Sequence, residues 1–115
     1  MLRVDFWGPH QPYYPTQEYA DMYPPESISL SPSFADTLED KPKSYRFETS
    51  TGLQQNNELI RPSAMPKEDW QLLLSRCYGH ISLVDEAGGR ILARLEELGL
   101  AQNTLVLWTA DHGDA

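Results

Sequence analysis

Apolar or small positions recur at steps of three and four from residue 70 to residue 98: Trp70, Leu73, Leu74, Cys77, Ile81, Val84, Gly88, Ile91, Leu92, Leu95 and Leu98. Such spacing holds one stripe on one face of a helix. Pro66 suits a first turn, Glu68 and Asp69 lie near the positive end of the dipole, and Arg90 and Arg94 lie toward the negative end. Gly99 is placed to stop the helix as its C′ residue. The spacing predicts one nearly continuous helix over residues 66–98. Gly79, Gly88 and Gly89 each weaken it by roughly 1 kcal/mol relative to Ala. Gly88 lies on the stripe, where a missing side chain admits another backbone.

Residues 104–109, Thr-Leu-Val-Leu-Trp-Thr, form an apolar run of strand length, the pattern of a strand buried on both faces. Residues 2–7 alternate apolar and polar, which predicts a second short strand. The helical stripe needs an apolar surface, and 104–109 is the comparable run, so helix is expected to pack on strand. The two strands are expected to lie parallel, so that the loops following them leave one edge of the sheet. Between them the pattern is poorer. Pro9, Pro12 and Pro15 fix φ and remove donors, which predicts a rigid, irregular loop around His10. Residues 16–22 suit two turns of helix with Thr16 as N-cap, ended by Pro24-Pro25. From Glu26 to Arg61 no period of 2 or 3.6 is sustained, and the stretch is left unassigned. The expected organisation is a strand and His loop over 1–25, an irregular insertion over 26–65, and helix, strand and loop over 66–115.

Composition narrows the function. Leu, Ile, Val and Phe make up about 22% of the chain, just above the roughly 20% below which disorder is expected. The core will be thin. A net charge of −8 disfavours nucleic acid, because neutralising phosphates needs excess Lys and Arg. No apolar run approaches the roughly 18 residues of a membrane span. The first residues leave no room for a signal peptide's apolar region, so the expectation leans to the cytoplasm with the compartment itself open. The single cysteine, Cys77, excludes an internal disulfide and a Cys-rich zinc module.

Candidate chemistry sits in two loops that follow the expected strands. Asp111-His112-Gly113 offers oxygen and imidazole donors to a divalent cation, with Gly113 free to turn sharply. Taken alone, these residues also fit a polar strand end with an exposed Asp turn. His10 stands in a proline frame able to hold an imidazole still, although a loop histidine beside aromatics also fits a packing role. Cys77 and His80 are three apart on the helix, but Cys77 is on the apolar stripe and reads as an inert thiol. Asp85 and Glu86 read as a solvated helix face.

Together these segments resemble the sulfatase family of the alkaline phosphatase superfamily. Phe6-Trp7-Gly8-Pro9-His10-Gln11-Pro12-Tyr13 is similar to that family's strand and "PHxPY" loop. Residues 78–99, with Asp85, Gly89, Leu95 and Leu98, are similar to its "YxxxVxxxDxxxGxxLxxLxxxG" helix. Residues 103–113 are similar to its "NTLVxFTSDHG" strand and metal loop, the most specific block. The three blocks cover about two-thirds of the chain.

The resemblance implies an α/β fold, part of a mixed sheet flanked by helices, and an internal segment of a catalytic domain. It implies a hydrolase of sulfate esters, small-molecule or glycan, with phosphodiesterase or phosphonate monoester hydrolysis in the same superfamily as the alternative. A non-catalytic truncated chain is the reading from another class. By the same resemblance Asp111 and His112 match ligands of a divalent metal, commonly calcium, and His10 matches the histidine facing the sulfate and leaving-group oxygen. The departures are clear. No Cys-x-Pro-x-Arg or Ser-x-Pro-x-Arg motif supplies the formylglycine nucleophile. The family's other aspartate pair and the lysine after the metal loop have no counterpart here.

Overall fold

A computed structural model describes residues 1–44, 53–55, 58–60 and 65–113 of the chain. Its dominant element is the long helix that the apolar period predicts, here α2, Lys67–Glu97; α1 is the short helix Gln17–Asp21. The N-cap of α2 is Pro66, with Glu68 and Asp69 in the first turn, and its C-cap is Leu98. Gly99 then takes a φ of +68°, where a Cβ would be strained. The amide of Gly99 donates to the Glu96 carbonyl at 2.8 Å and that of Leu100 to the Leu95 carbonyl at 3.2 Å. These two bonds form a Schellman stop, satisfying carbonyls that the helix end would otherwise leave open.

The first half of α2 carries the packing. Residues 13–36 run along it as α1 followed by two single turns of 3₁₀ helix, Pro25–Ser27 and Pro32–Ala35. Ala20 and Ile28 are its buried apolar residues. Polar stitches hold the segment down. Ser75 Oγ, fully buried, donates to the Tyr23 carbonyl at 2.5 Å, and Gln71 Nε2 to the Ile28 carbonyl at 2.7 Å. The Tyr23 hydroxyl meets Ser82 Oγ at 2.8 Å, and the Tyr19 hydroxyl donates to the Glu86 carboxylate. Ring pairs Tyr23–Tyr78 and Phe34–Trp70, with centroids 5.7 and 6.0 Å apart, close the rest. Glu86 is therefore not merely a solvated acid, and residues 26–36 of the unassigned stretch form part of the packed layer.

The α/β expectation is overturned. Residues 2–6 and 104–109 form neither helix nor strand, Trp7 opens a turn, and no backbone hydrogen bond joins the two runs. The paired strands among the described residues are β1, Leu53–Gln55, and β2, Glu58–Ile60, an antiparallel pair in the register Leu53↔Ile60. They fall inside the unassigned stretch, of which residues 45–52, 56–57 and 61 lie outside the described residues. The physical reason is the lack of a neighbour. An apolar run becomes a strand only when another backbone satisfies its amides and another layer covers its faces. Here Leu105 and Leu107 stay 85% and 82% exposed.

The helix is not packed on a parallel sheet either. Ile81, Ile91, Leu92 and Leu98 of the stripe remain exposed, and the contact over Gly88 is the Trp108 ring rather than a backbone. The most buried α2 positions, Ser75, Gly79 and Gly88, are small ones. The radius of gyration is 18.1 Å, against about 13 Å expected of a compact domain of this length. Among the described residues no helix is long and apolar enough to cross a membrane.

Candidate functional site

The loop after residue 7 is built as a turn. The His10 amide donates to the Trp7 carbonyl at 3.3 Å, which sets Trp7 and His10 side by side with ring centroids 5.6 Å apart. The Gly8–Pro9 and Gln11–Pro12 peptides are cis. The turn rests on α2 through Gly8. A Cβ there would lie 2.6 Å from His80 Nε2 and 2.9 Å from Val84 Cγ2, so the backbone approaches the helix as only glycine permits. His80 therefore faces the loop rather than forming a metal pair with half-buried Cys77, and its Nδ1 is buried without a hydrogen-bond partner.

The second loop comes to meet the first. The His10 and His112 rings stand edge to face, centroids 6.5 Å apart, and the Phe6 and Trp108 rings meet at 6.0 Å behind them. Histidines separated by a hundred positions thus share one small region, and Asp111 is the neighbour of one of them. Both imidazoles are held alike. His10 Nδ1 lies 2.6 Å from the Gln11 carbonyl and His112 Nδ1 lies 2.8 Å from the Gly113 carbonyl. A carbonyl oxygen only accepts, so in the neutral ring the proton sits on Nδ1 and the lone pair on Nε2. That is the arrangement in which an imidazole coordinates a cation through Nε2 while a backbone carbonyl fixes its orientation.

Asp111 turns one carboxylate oxygen back to the His112 amide at 3.0 Å, and the other lies 3.8 Å from His112 Nε2. The carboxylate is 91% exposed. In so wet a setting, charges 4 Å apart interact by about 1 kcal/mol, so these groups alone hold a cation weakly. Among the described residues no group of three or more His, Cys, Asp or Glu is placed to hold a metal ion. The donor chemistry of Asp111 and His112 fits part of a coordination shell, not a whole one; calcium takes six to eight oxygens.

Two features of this region escaped the sequence reading. Gly8 and His80 are a matched pair, and a glycine directly before the Pro-His dipeptide was the available signal. Trp7 lies in a turn with its ring beside that of His10, rather than in a strand.

The Sulfatase family model matches residues 1–115. A sulfatase of Formosa agariphila is 33% identical over 98% of the chain, which covers 22% of that protein. The iduronate 2-sulfatase of Mus musculus is 31% identical over 98% of the chain, covering 21% of that protein. An arylsulfatase of Clostridium perfringens is 30% identical over 99% of the chain, covering 22% of that protein. The chain thus spans about a fifth of the length of these relatives. No solved structure matches it.

Proposed function

The chain belongs to the sulfatase family, and on that premise we propose that His10, Asp111 and His112 form one part of the site at which a sulfatase-type hydrolase takes a sulfate ester. The observation that carries this reading is the meeting of the His10 and His112 rings at 6.5 Å, each with Nδ1 tied to a backbone carbonyl. The Asp111 carboxylate and a His112 ring nitrogen would hold a divalent cation, calcium first among the choices. When bound, such an ion supplies positive charge that stabilises charge developing on ester oxygens. His10 would face the sulfate and the leaving-group oxygen through Nε2, with Nδ1 tied to the Gln11 carbonyl. Arylsulfatase and iduronate 2-sulfatase, as relatives, favour a small-molecule or glycan sulfate ester as the substrate class.

The chain carries no Cys-x-Pro-x-Arg or Ser-x-Pro-x-Arg motif, so its expected turnover of an aryl sulfate is that of buffer. Calcium affinity is expected to be millimolar or weaker, from two protein ligands where six to eight oxygens are needed. Calorimetric titration checks the ligand assignment. A weak calcium signal that Asp111→Ala removes supports it; micromolar affinity that survives Asp111→Ala overturns it. Aryl sulfate hydrolysis by the purified chain that His10→Ala abolishes would show a nucleophile that the motif argument denies.

A further inference from the structure

We propose that Trp7 recognises the leaving group of the ester, by offering its indole face to a six-membered ring. The assignment rests on the reading of the histidine pair given above. Trp7 is 79% exposed, so it covers no core, yet its ring is held 5.6 Å from that of His10. Its place is fixed from both sides. The turn is closed by the His10 amide on the Trp7 carbonyl, and Gly8 is pressed against His80 and Val84 with no room for a Cβ. The Trp7 backbone is thereby tied to the turn that rests on α2, and its ring lies beside that of His10.

A sulfate ester presents two unlike parts to such a wall. The reading above places its anionic end beside the histidine pair, and its carbon skeleton begins one oxygen further on. With the anion beside His10 and His112, a ring on that skeleton reaches the indole at the 4.5–7 Å centroid separation that stacked or edge-on rings prefer. An acyclic skeleton has no face to lay there. The gain is the apolar area that a ring and an exposed indole remove from water together, and an aromatic pair adds to it.

The test uses the isotope-labelled chain, titrated with methyl, phenyl and cyclohexyl sulfate. The readouts are the Trp7 indole N–H signal, assigned by its loss in Trp7→Ala, and the ring signals of His10 and His112. Phenyl sulfate is expected to bind about threefold to tenfold more tightly than methyl sulfate. The preference should vanish in Trp7→Ala and persist in Trp7→Phe, with methyl sulfate affinity unchanged in both. A preference shared by cyclohexyl sulfate assigns any six-membered ring, and one confined to phenyl sulfate assigns aromatic rings. Equal affinities in the unmodified chain, or a preference that survives Trp7→Ala, overturn the role of Trp7 while leaving the histidine pair standing. If no ester moves the histidine signals, the reading of that pair fails and the role of Trp7 falls with it.

Discussion

The two halves of α2 start from the same apolar period and end differently. Along the first half, residues 13–36 lie close enough for Ser75 and Gln71 to bond the Tyr23 and Ile28 carbonyls. Along the second half, Ile91, Leu92 and Leu98 stay exposed, and the facing run 104–109 touches the helix through the Trp108 ring at Gly88. Both halves carry large apolar residues, among them Trp70, Leu73 and Leu74 in the first and Ile91, Leu92 and Leu95 in the second, yet the second is left open. Apolar residues supply a drive toward burial but no address, since the hydrophobic effect has no direction. Small residues that admit a backbone, with hydroxyls and amides that meet its carbonyls, supply the address.

The sharpest way to break this contrast is to treat the two glycines alike. At Gly79 a Cβ would lie 2.6 Å from the Tyr19 carbonyl oxygen, a backbone atom of α1. At Gly88 it would lie 2.5 Å from the Trp108 ring, which is 63% exposed on a run without ladder bonds. Gly79→Ala should therefore destabilise by about 1–3 kcal/mol, because the backbone layer must move. Gly88→Ala should fall within about 1 kcal/mol of neutral, because the ring swings aside while the helix gains propensity. Urea unfolding checks both. Equal costs at the two sites would mean that the two halves are packed alike.

A smaller loss is expected at Ser75, whose hydroxyl is fully buried against the Tyr23 carbonyl. Ser75→Ala removes the donor and leaves that carbonyl in a closed contact, at a cost of about 1–2 kcal/mol. Amide exchange should locate the loss in residues 17–28 rather than at the far end of α2. Loss spread evenly along the helix would contradict a local stitch.

What could be read from the sequence follows the same division. The long helix and its Gly99 stop were legible because both depend on neighbours within a few positions. The short helix after Thr16 was legible for that reason too. Residues 26–36 were not, because Ile28 and Phe34 show no period and their partners, Gln71 and Trp70, are about forty positions away. The runs 2–7 and 104–109 were over-read as strands, since alternation and apolarity describe what a sheet would accept, not whether its neighbours are there. In the site, His10, Asp111 and His112 were picked out by motif. Their shared neighbourhood rests on rings that meet across a hundred residues, and the Gly8–His80 fit left no periodic trace.

The last and smallest effect concerns the clasp between α1 and α2. The Tyr19 hydroxyl is pushed up to about 12, first by its hydrogen bond to the Glu86 carboxylate, then by desolvation and by the negative charges of Glu86 and Glu18, with Arg90 opposing. A raised value means that the fold favours the neutral hydroxyl, the form that donates to Glu86. The contribution of the clasp should be constant below the ordinary value of 10.0 and be lost as the pH rises through about 12. Near neutral pH, Tyr19→Phe should cost little, because the pair stands in solvent and exposed pairs contribute modestly. The decisive readout is the difference between the two chains as the pH climbs. A spectroscopic tyrosine titration should lose its latest component in Tyr19→Phe, and the stability gap should close over that window. Glu86→Gln keeps an acceptor without the charge, so Tyr19 should then titrate earlier with the clasp still formed. A gap that stays open above pH 12 would place the packing of α1 in the Tyr19 ring and the Gly79 contact, not in the hydroxyl.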